Sequence, residues 1–281
     1  MLSRLHPKPM PAMSDPHQLS GWRRVAGLIW DAPSDPQIYG SLEIDASALL
    51  AFMQRVNATG AHLTPTHLVG RAVGHALAEV PPLNVRLVGG RAIPRESIDV
   101  FFITATRGGA DLSGVKVSGI DTKSARAVAG ELAAESQRLR EGEDPALARA
   151  KRRLAALPRP LARAALRVAA WAAGDRGWRI PALGIAPSPF GSAMVSSVGM
   201  FGLPLGFAPI AWMYRVPLLV LVAEITERAV SIAGRVESRP MLPMSVTVDH
   251  RYIDAAGLGQ ALAALQNYLR CPSNYESEPN G

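Results

Sequence analysis

The chain has 281 residues, of which 48% are hydrophobic and 19% are charged, and its formal net charge is +7. This length suits one large domain with a substantial core, and a single cysteine, Cys271, excludes an internal disulfide and a cysteine-rich metal site. No apolar stretch reaches the roughly 18 uncharged residues of a membrane span, and we expect no export signal in the proline-rich arm at residues 1–19, so a cytoplasmic location is predicted.

The first predicted elements are a strand and a helix. The sequence IYGSLEI at residues 38–44 alternates between apolar and polar positions, as a half-buried strand does. Asp45 or Ser47 is then suited to cap a helix that continues to about Asn57.

A second helix is predicted from Thr64 to Val80, with Thr64 as its N-cap and a proline pair as its stop. Three histidines, His62, His67 and His75, lie in or beside it. They have neither cysteines nor paired carboxylates at ligand spacing, so no metal site is predicted.

The middle of the chain alternates between strands and helices. VRLVGGRAI contains a Gly-Gly turn that indicates a hairpin, and IDVFFITAT is apolar enough for a central strand. A short strand is predicted from Lys116, followed by an amphipathic helix over ARAVAGELAAESQRLREG.

The positive charge is concentrated in residues 145–180, which contain nine Lys or Arg and one acid, whereas the rest of the chain has 21 basic and 22 acidic residues. General nucleic-acid binding is therefore not predicted. Pro158 and Pro160 should divide this segment into two pieces of an inserted basic helical hairpin. Its apolar residues would pack on the body or between the two helices: Leu154, Leu157, Leu161, Leu166 and Trp171. The alternative is a solvated, arginine-rich helix face.

The last third is rich in strands, namely SAMVSSVG, PLLVLVAEI, VSIAG and MLPMSVTVD, and it ends in a helix from about Ala255 to Leu269. Together these patterns predict an α+β fold with a large mixed sheet and flanking helices.

A candidate site lies in SVTVDHRYIDAAG, where His250 ends an apolar strand. Asp249, Arg251 and Asp254 are close enough in sequence to fix its tautomer and orientation. The spacing alone allows either a catalytic base or an ordinary strand-end histidine held by its neighbours.

This stretch resembles the H-x-x-x-D-G signature of the dihydrolipoyl acyltransferase catalytic core of 2-oxo acid dehydrogenase complexes, which chloramphenicol acetyltransferase shares. Upstream, VSSVGMFG resembles the family's I-S-N-L-G-M-F-G, and LNVRLVGGRAI resembles its L-N-A-x-x-D-G hairpin. The resemblance runs from about Ser20 to Leu269, apart from the basic hairpin.

The resemblance implies a chloramphenicol acetyltransferase-like fold and acyl transfer between coenzyme A and a thiol on a lipoyl group or another carrier. It assigns His250 as the general base and Ser196 as the oxyanion donor, with Asp254 orienting the structure. It also implies a homotrimer whose subunits share the active site.

Coenzyme A is then expected as a substrate, with Ser197, Gly199 and Arg251 as candidate contacts. The catalytic domain would span residues 20–270, followed by a polar tail at 271–281. No lipoyl group is expected on this chain, so any lipoyl group would come from another polypeptide.

Two departures from the family pattern leave an alternative open. Ala255 stands where the signature has glycine, and TRGGADLSGV lacks the two prolines of the corresponding family loop. A non-catalytic trimeric scaffold would fit these changes. For the basic hairpin, the candidate partners are an acidic carrier protein and an anionic membrane surface.

Overall fold

The computed structural model describes residues 35–106, 111–140, 157–181 and 185–276. The strands are β1 Gln37–Asp45, β2 Val85–Val88, β3 Arg91–Pro94, β4 Val100–Thr106, β5 Asp111–Val117, β6 Ala193–Ser197, β7 Leu218–Val222, β8 Thr226–Ile232 and β9 Arg235–Asp249. The helices are α1 Ser47–Asn57, α2 Pro65–Glu79, α3 Ala125–Arg140, α4 Arg159–Ala169 and α5 Ala255–Arg270.

The main sheet mixes parallel and antiparallel strands in the order β1-β9-β7-β6-β4-β5, and β8 pairs with the first half of β9. Strands β4, β6 and β7 are mutually parallel, and the other pairs are antiparallel. Strands β2 and β3 form a separate hairpin whose turn is Gly89-Gly90, both at positive φ. The predicted α+β class with a large mixed sheet is confirmed.

The two faces of the sheet are covered differently. Val195, Val220 and Val246 share one core with buried residues of α1, α2, α3 and α5. Their neighbours Met194 and Leu221 point to the opposite face and pack on the segment that follows β6. Because side chains alternate along a strand, this second face is also the face of Ser196.

The start of α1 differs from the expectation. Ala46 is the N-cap residue, because its N–H donates to the Pro240 carbonyl at 2.8 Å and so continues the pairing of β1 with β9. Asp45 lies one residue earlier and accepts a hydrogen bond from the Ser47 N–H at 2.9 Å. Sheet pairing therefore sets the boundary of this helix.

Strand β5 begins at Asp111 rather than at Lys116, because the whole strand pairs with the whole length of β4. Its Gly114 is required by packing: a Cβ there would lie 2.3 Å from the Phe101 ring. Strand propensity alone did not predict this part of β5, because glycine is unfavourable within a strand.

Helix α4 begins at Arg159, with Pro158 as its N-cap, so Pro160 lies in the first turn, where its missing N–H costs nothing. The first half of the predicted hairpin, residues 145–156, is outside the described residues, and the hairpin stays a prediction. Of the apolar side chains expected to pack, Leu166 is half-buried, whereas Leu157, Leu161 and Trp171 are exposed.

Packing continues beyond the predicted domain end at residue 270. The buried Glu276 carboxylate accepts hydrogen bonds from the Ala125 N–H at 2.7 Å and from the Tyr268 hydroxyl, and it pairs with Arg71 at 3.2 Å. Within the described ranges, no helix is both long and apolar enough to cross a membrane.

Candidate active site

His250 lies in the turn between β9 and α5, and its side chain is exposed. Its Nδ1 atom is 2.7 Å from the Ile253 carbonyl oxygen. Because a carbonyl oxygen can only accept, Nδ1 must carry the proton in the neutral ring. The Nε2 atom then keeps its lone pair, which is the tautomer that a general base requires.

The charged neighbours of His250 have other partners. The Asp249 carboxylate accepts hydrogen bonds from the Arg251 backbone N–H at 3.0 Å and from the Arg251 guanidinium at 2.5 Å, and the side-chain hydrogen bond raises the pKa of Arg251. Asp254 is the N-cap of α5, where it accepts from the Gly257 N–H at 2.9 Å. The expectation that these three side chains fix the imidazole is therefore wrong in detail, because the Ile253 carbonyl holds it.

Ala255 is accommodated without strain. It is the first residue of α5, a position that suits alanine. The described non-glycine residues with positive φ are Ser188, Arg215 and Ala233, so the backbone at residue 255 does not require glycine.

Ser196 lies on β6, opposite Ile103 of β4 and Leu221 of β7. Among the described residues, its half-buried hydroxyl has no hydrogen-bond partner. Ser197 follows on the other face of the strand. Gly199 has a structural reason to be glycine, because a Cβ there would lie 2.6 Å from the backbone of Ala223.

A buried polar network holds the beginning of β6 in place. The Asp99 carboxylate accepts from the Gly119 N–H at 3.1 Å and pairs with Lys116 at 3.3 Å. The Ser192 hydroxyl donates to the Asn84 side-chain oxygen at 2.6 Å and accepts from the Asp99 N–H at 3.2 Å. No periodic pattern predicts this network, because its members lie far apart along the chain.

The strand register separates Ser196 from His250. Ser196 is level with Leu221, which is level with Ser245, and His250 lies five residues beyond Ser245. With strands about 4.8 Å apart and a rise of about 3.3 Å per residue, the two backbones are about 19 Å apart. Side chains of one subunit therefore cannot act together on one carbonyl group.

An apolar surface lies next to Ser196 in the chain. The segment at residues 199–214 covers the second face of the sheet and is held there by Thr247, whose hydroxyl donates to the Ala208 carbonyl at 2.7 Å, and by Ser245, whose hydroxyl donates to Gly206. Its exposed large side chains are Met200, Phe201, Leu203, Leu205, Phe207 and Trp212. An exposed patch of this kind marks an interaction surface.

Charged side chains connect the end of the basic segment to the turn at His250. Asp175 pairs with Arg215 at 2.9 Å. The Arg215 carbonyl accepts from Arg95 at 2.7 Å and lies 3.4 Å from the Tyr252 hydroxyl. Burial lowers the pKa of Arg95 to about 10.

The histidines near α2 have structural contacts. His67 Nδ1 accepts from the Thr64 N–H at 3.2 Å, and burial lowers the pKa of His67 to about 4. His75 packs against both Tyr268 and Tyr275, whose rings stack on each other. In the part of the chain that the structure describes, no three His, Cys, Asp or Glu residues form a potential metal cluster.

The model of the 2-oxoacid dehydrogenases acyltransferase (catalytic domain) family matches residues 19–145 and 190–276. The match is interrupted at residues 146–189, which include most of the basic segment. No curated protein matches the sequence.

Solved structures show the same fold at low identity. A probable dihydrolipoamide acetyltransferase from Listeria monocytogenes is 20% identical, with a TM-score of 0.63, over 95% of this chain and 98% of that one. The cubic core of the pyruvate dehydrogenase multienzyme complex is 19% identical, with a TM-score of 0.63, over 95% and 99%. The dihydrolipoamide acetyltransferase of Azotobacter vinelandii, investigated for the catalytic roles of a serine, a histidine and an asparagine, is 19% identical, with a TM-score of 0.62, over 93% and 99%.

Proposed function

This chain belongs to the family of 2-oxoacid dehydrogenase acyltransferase catalytic domains, which places it among coenzyme A-dependent acyltransferases, and we propose that it moves an acyl group between coenzyme A and a thiol on a lipoyl group or another carrier. Coenzyme A is a substrate in this proposal.

The observation that carries the proposal is the contact between His250 and the Ile253 carbonyl, because it leaves Nε2 unprotonated and accessible. A thiol with a pKa of about 8.5 is only a few per cent thiolate at neutral pH, so removal of its proton in place speeds attack on a thioester. In this mechanism Nε2 accepts the proton as the thiol sulfur attacks the carbonyl carbon. The protonated ring returns that proton to the departing thiolate.

The Ser196 hydroxyl donates to the oxyanion in the same mechanism. A well-placed donor of this kind stabilises the transition state by roughly 3 kcal/mol. Its freedom from other described partners supports the role. Further support comes from the Azotobacter vinelandii enzyme, where the histidine and asparagine that were investigated are four residues apart, as His250 and Asp254 are here.

The site is shared between subunits of a homotrimer. The separation of about 19 Å supports this arrangement, since His250 of one subunit must meet Ser196 of another for both to act on one carbonyl. The exposed apolar surface at residues 200–212 directly follows β6 and supplies a subunit contact beside Ser196. We place the enzyme in the cytoplasm.

Coenzyme A binds next to Ser196 and His250 in this proposal. Ser197 and Gly199 follow Ser196 closely in the chain. The exposed guanidinium of Arg251 adds positive charge beside His250. The hydrogen bonds from Arg251 to Asp249 partly neutralise that charge, so we expect Arg251 to contribute little to coenzyme A binding.

The alternative, a non-catalytic trimeric scaffold, is now supported only by the sequence change at residues 106–115, because Ala255 fits its position. The decisive experiment follows acyl-CoA consumption by mass spectrometry, with a panel of lipoyl and carrier-protein acceptors. Transfer by the wild type that is lost in His250→Ala supports the enzyme. Trimers without transfer to any acceptor support the scaffold.

A further inference from the structure

Helix α4 presents apolar side chains to solvent. Ala162, Leu166 and Ala169 are half-buried and lie on one side of the helix. On a different side, Leu161 and Val168 are 57% and 64% exposed. These two are seven residues apart and therefore share an exposed helix face.

Both ends of this face extend it. Leu157, just before the helix, and Trp171, just after it, are each 41% exposed. We name Leu157, Leu161, Val168 and Trp171 the α4 stripe. Nothing in the described residues buries it, and an apolar stripe of three helical turns is more than a scattered surface residue.

A row of arginines runs beside the α4 stripe. Arg159, Arg163 and Arg167 are spaced four residues apart, so they lie in one line along the helix, and all three are exposed. None of them forms an ion pair with a described residue. The nearby acid, Asp175, is already paired with Arg215.

An aromatic cluster continues the surface. The rings of Trp171 and Trp178 meet edge to face at 5.4 Å, and the Arg176 guanidinium lies 5.2 Å and 6.0 Å from their centres. Trp178 is 53% exposed. Tryptophan beside arginine is typical of side chains at a membrane–water interface, where the ring meets the acyl boundary and the cation meets the phosphate.

We propose that the α4 stripe and its arginines dock this chain on a membrane surface with anionic headgroups. A bilayer fits both features of this surface, because its phosphates can bind the arginine row while its acyl boundary buries the α4 stripe. An acidic carrier protein would match the arginines alone. Five arginines and one paired acid over residues 157–181 favour an anionic over a neutral membrane.

The base of α4 is fixed to the body close to the candidate active site. Asp175 binds the Arg215 side chain, and its carbonyl accepts from Arg86 at 3.4 Å. The Arg215 carbonyl also contacts Arg95 and is near Tyr252, which is two residues after His250. A chain that docks on a membrane through α4 therefore holds the turn at His250 near that membrane.

Co-sedimentation of the full chain with vesicles tests the proposal without requiring catalysis, so its failure is distinguishable from failure of the proposed function. The vesicles are phosphatidylcholine alone and an equimolar mixture with phosphatidylglycerol. Wild type should bind the mixture and not phosphatidylcholine, and added salt should weaken the binding. Tryptophan emission should shift to the blue on binding.

Two variants separate charge from apolar contact. Arg159→Glu with Arg163→Glu and Arg167→Glu should weaken binding by about a hundredfold. Leu161→Ser with Val168→Ser should weaken it by more than about tenfold. The charge-matched control replaces three exposed arginines outside α4, Arg91, Arg235 and Arg270, with glutamate and should bind like wild type.

Three results would overturn the proposal. The first is no binding of wild type to anionic vesicles, and the second is equal loss in the control variant. The third is full binding by Leu161→Ser with Val168→Ser, which would leave an electrostatic surface suited to an acidic protein.

Discussion

Ser196 and His250 belong to the same sheet, yet the strand register separates their backbones by about 19 Å within one chain. This separation makes the proposed mechanism testable at two levels, the single residue and the subunit assembly.

Replacing His250 with alanine should lower acyl transfer by several orders of magnitude, because no other described side chain at this turn offers a neutral nitrogen base. Ser196→Ala should cost roughly a hundredfold or more, mainly in kcat. Steady-state kinetics with acyl-CoA and a thiol acceptor measure both effects. Thermal unfolding is the control, since an exposed imidazole and a free hydroxyl contribute little to stability. Near wild-type turnover of His250→Ala would refute the mechanism.

Mixed oligomers should be more active than either parent. After subunit exchange between His250→Ala and Ser196→Ala proteins, some interfaces pair an intact His250 with an intact Ser196. Native mass spectrometry verifies the mixed species, and sedimentation should report trimers. Verified mixed trimers without activity would contradict a shared site, and a 24-mer or 60-mer would contradict an assembly that stops at the trimer.

Asp254 should act through position rather than proton transfer. Asp254→Asn keeps an acceptor for the Gly257 N–H and should retain most activity, whereas Asp254→Ala loses the cap and should cost about 1 kcal/mol of stability. Because Asp254 follows Ile253, loss of the cap also loosens the carbonyl that holds His250. A pH–rate profile distinguishes the roles: both variants should keep the wild-type profile, and a lost ionisation in Asp254→Asn would indicate proton transfer.

His67 should make stability depend on pH. Its pKa is about 4 in the folded chain and 6.5 in an exposed histidine, so the unfolded chain binds more protons between these values. Stability is therefore complete above pH 6.5 and should fall by about 2 kcal/mol as the pH decreases towards 4. Denaturant unfolding across this range, compared with His67→Gln, measures the effect. Gln keeps an acceptor for Thr64 without titrating, so parallel curves for the two proteins would rule His67 out.

The sequence predicted the sheet and the main helices because apolar periodicity and proline or glycine punctuation are local signals. It missed what depends on contacts that only the folded structure reveals. Pairing with β4 extends β5 to Asp111, and a backbone carbonyl at Ile253, which any residue could supply, orients His250. The sequence predicted that Leu157, Leu161 and Trp171 would pack, but they are exposed, because exposure depends on what the rest of the chain leaves uncovered.

The contact between Arg71 and Glu276 joins positions 205 residues apart, counted from 71 to 276. During synthesis, the ribosome has released α2 long before Glu276 emerges, so the Arg71 guanidinium has no carboxylate to meet when its own helix first collapses. A buried cation without its counter-charge is strongly unfavourable. Burial of Arg71 in its final position therefore waits until residue 276 has cleared the exit tunnel, although its own helix is made much earlier.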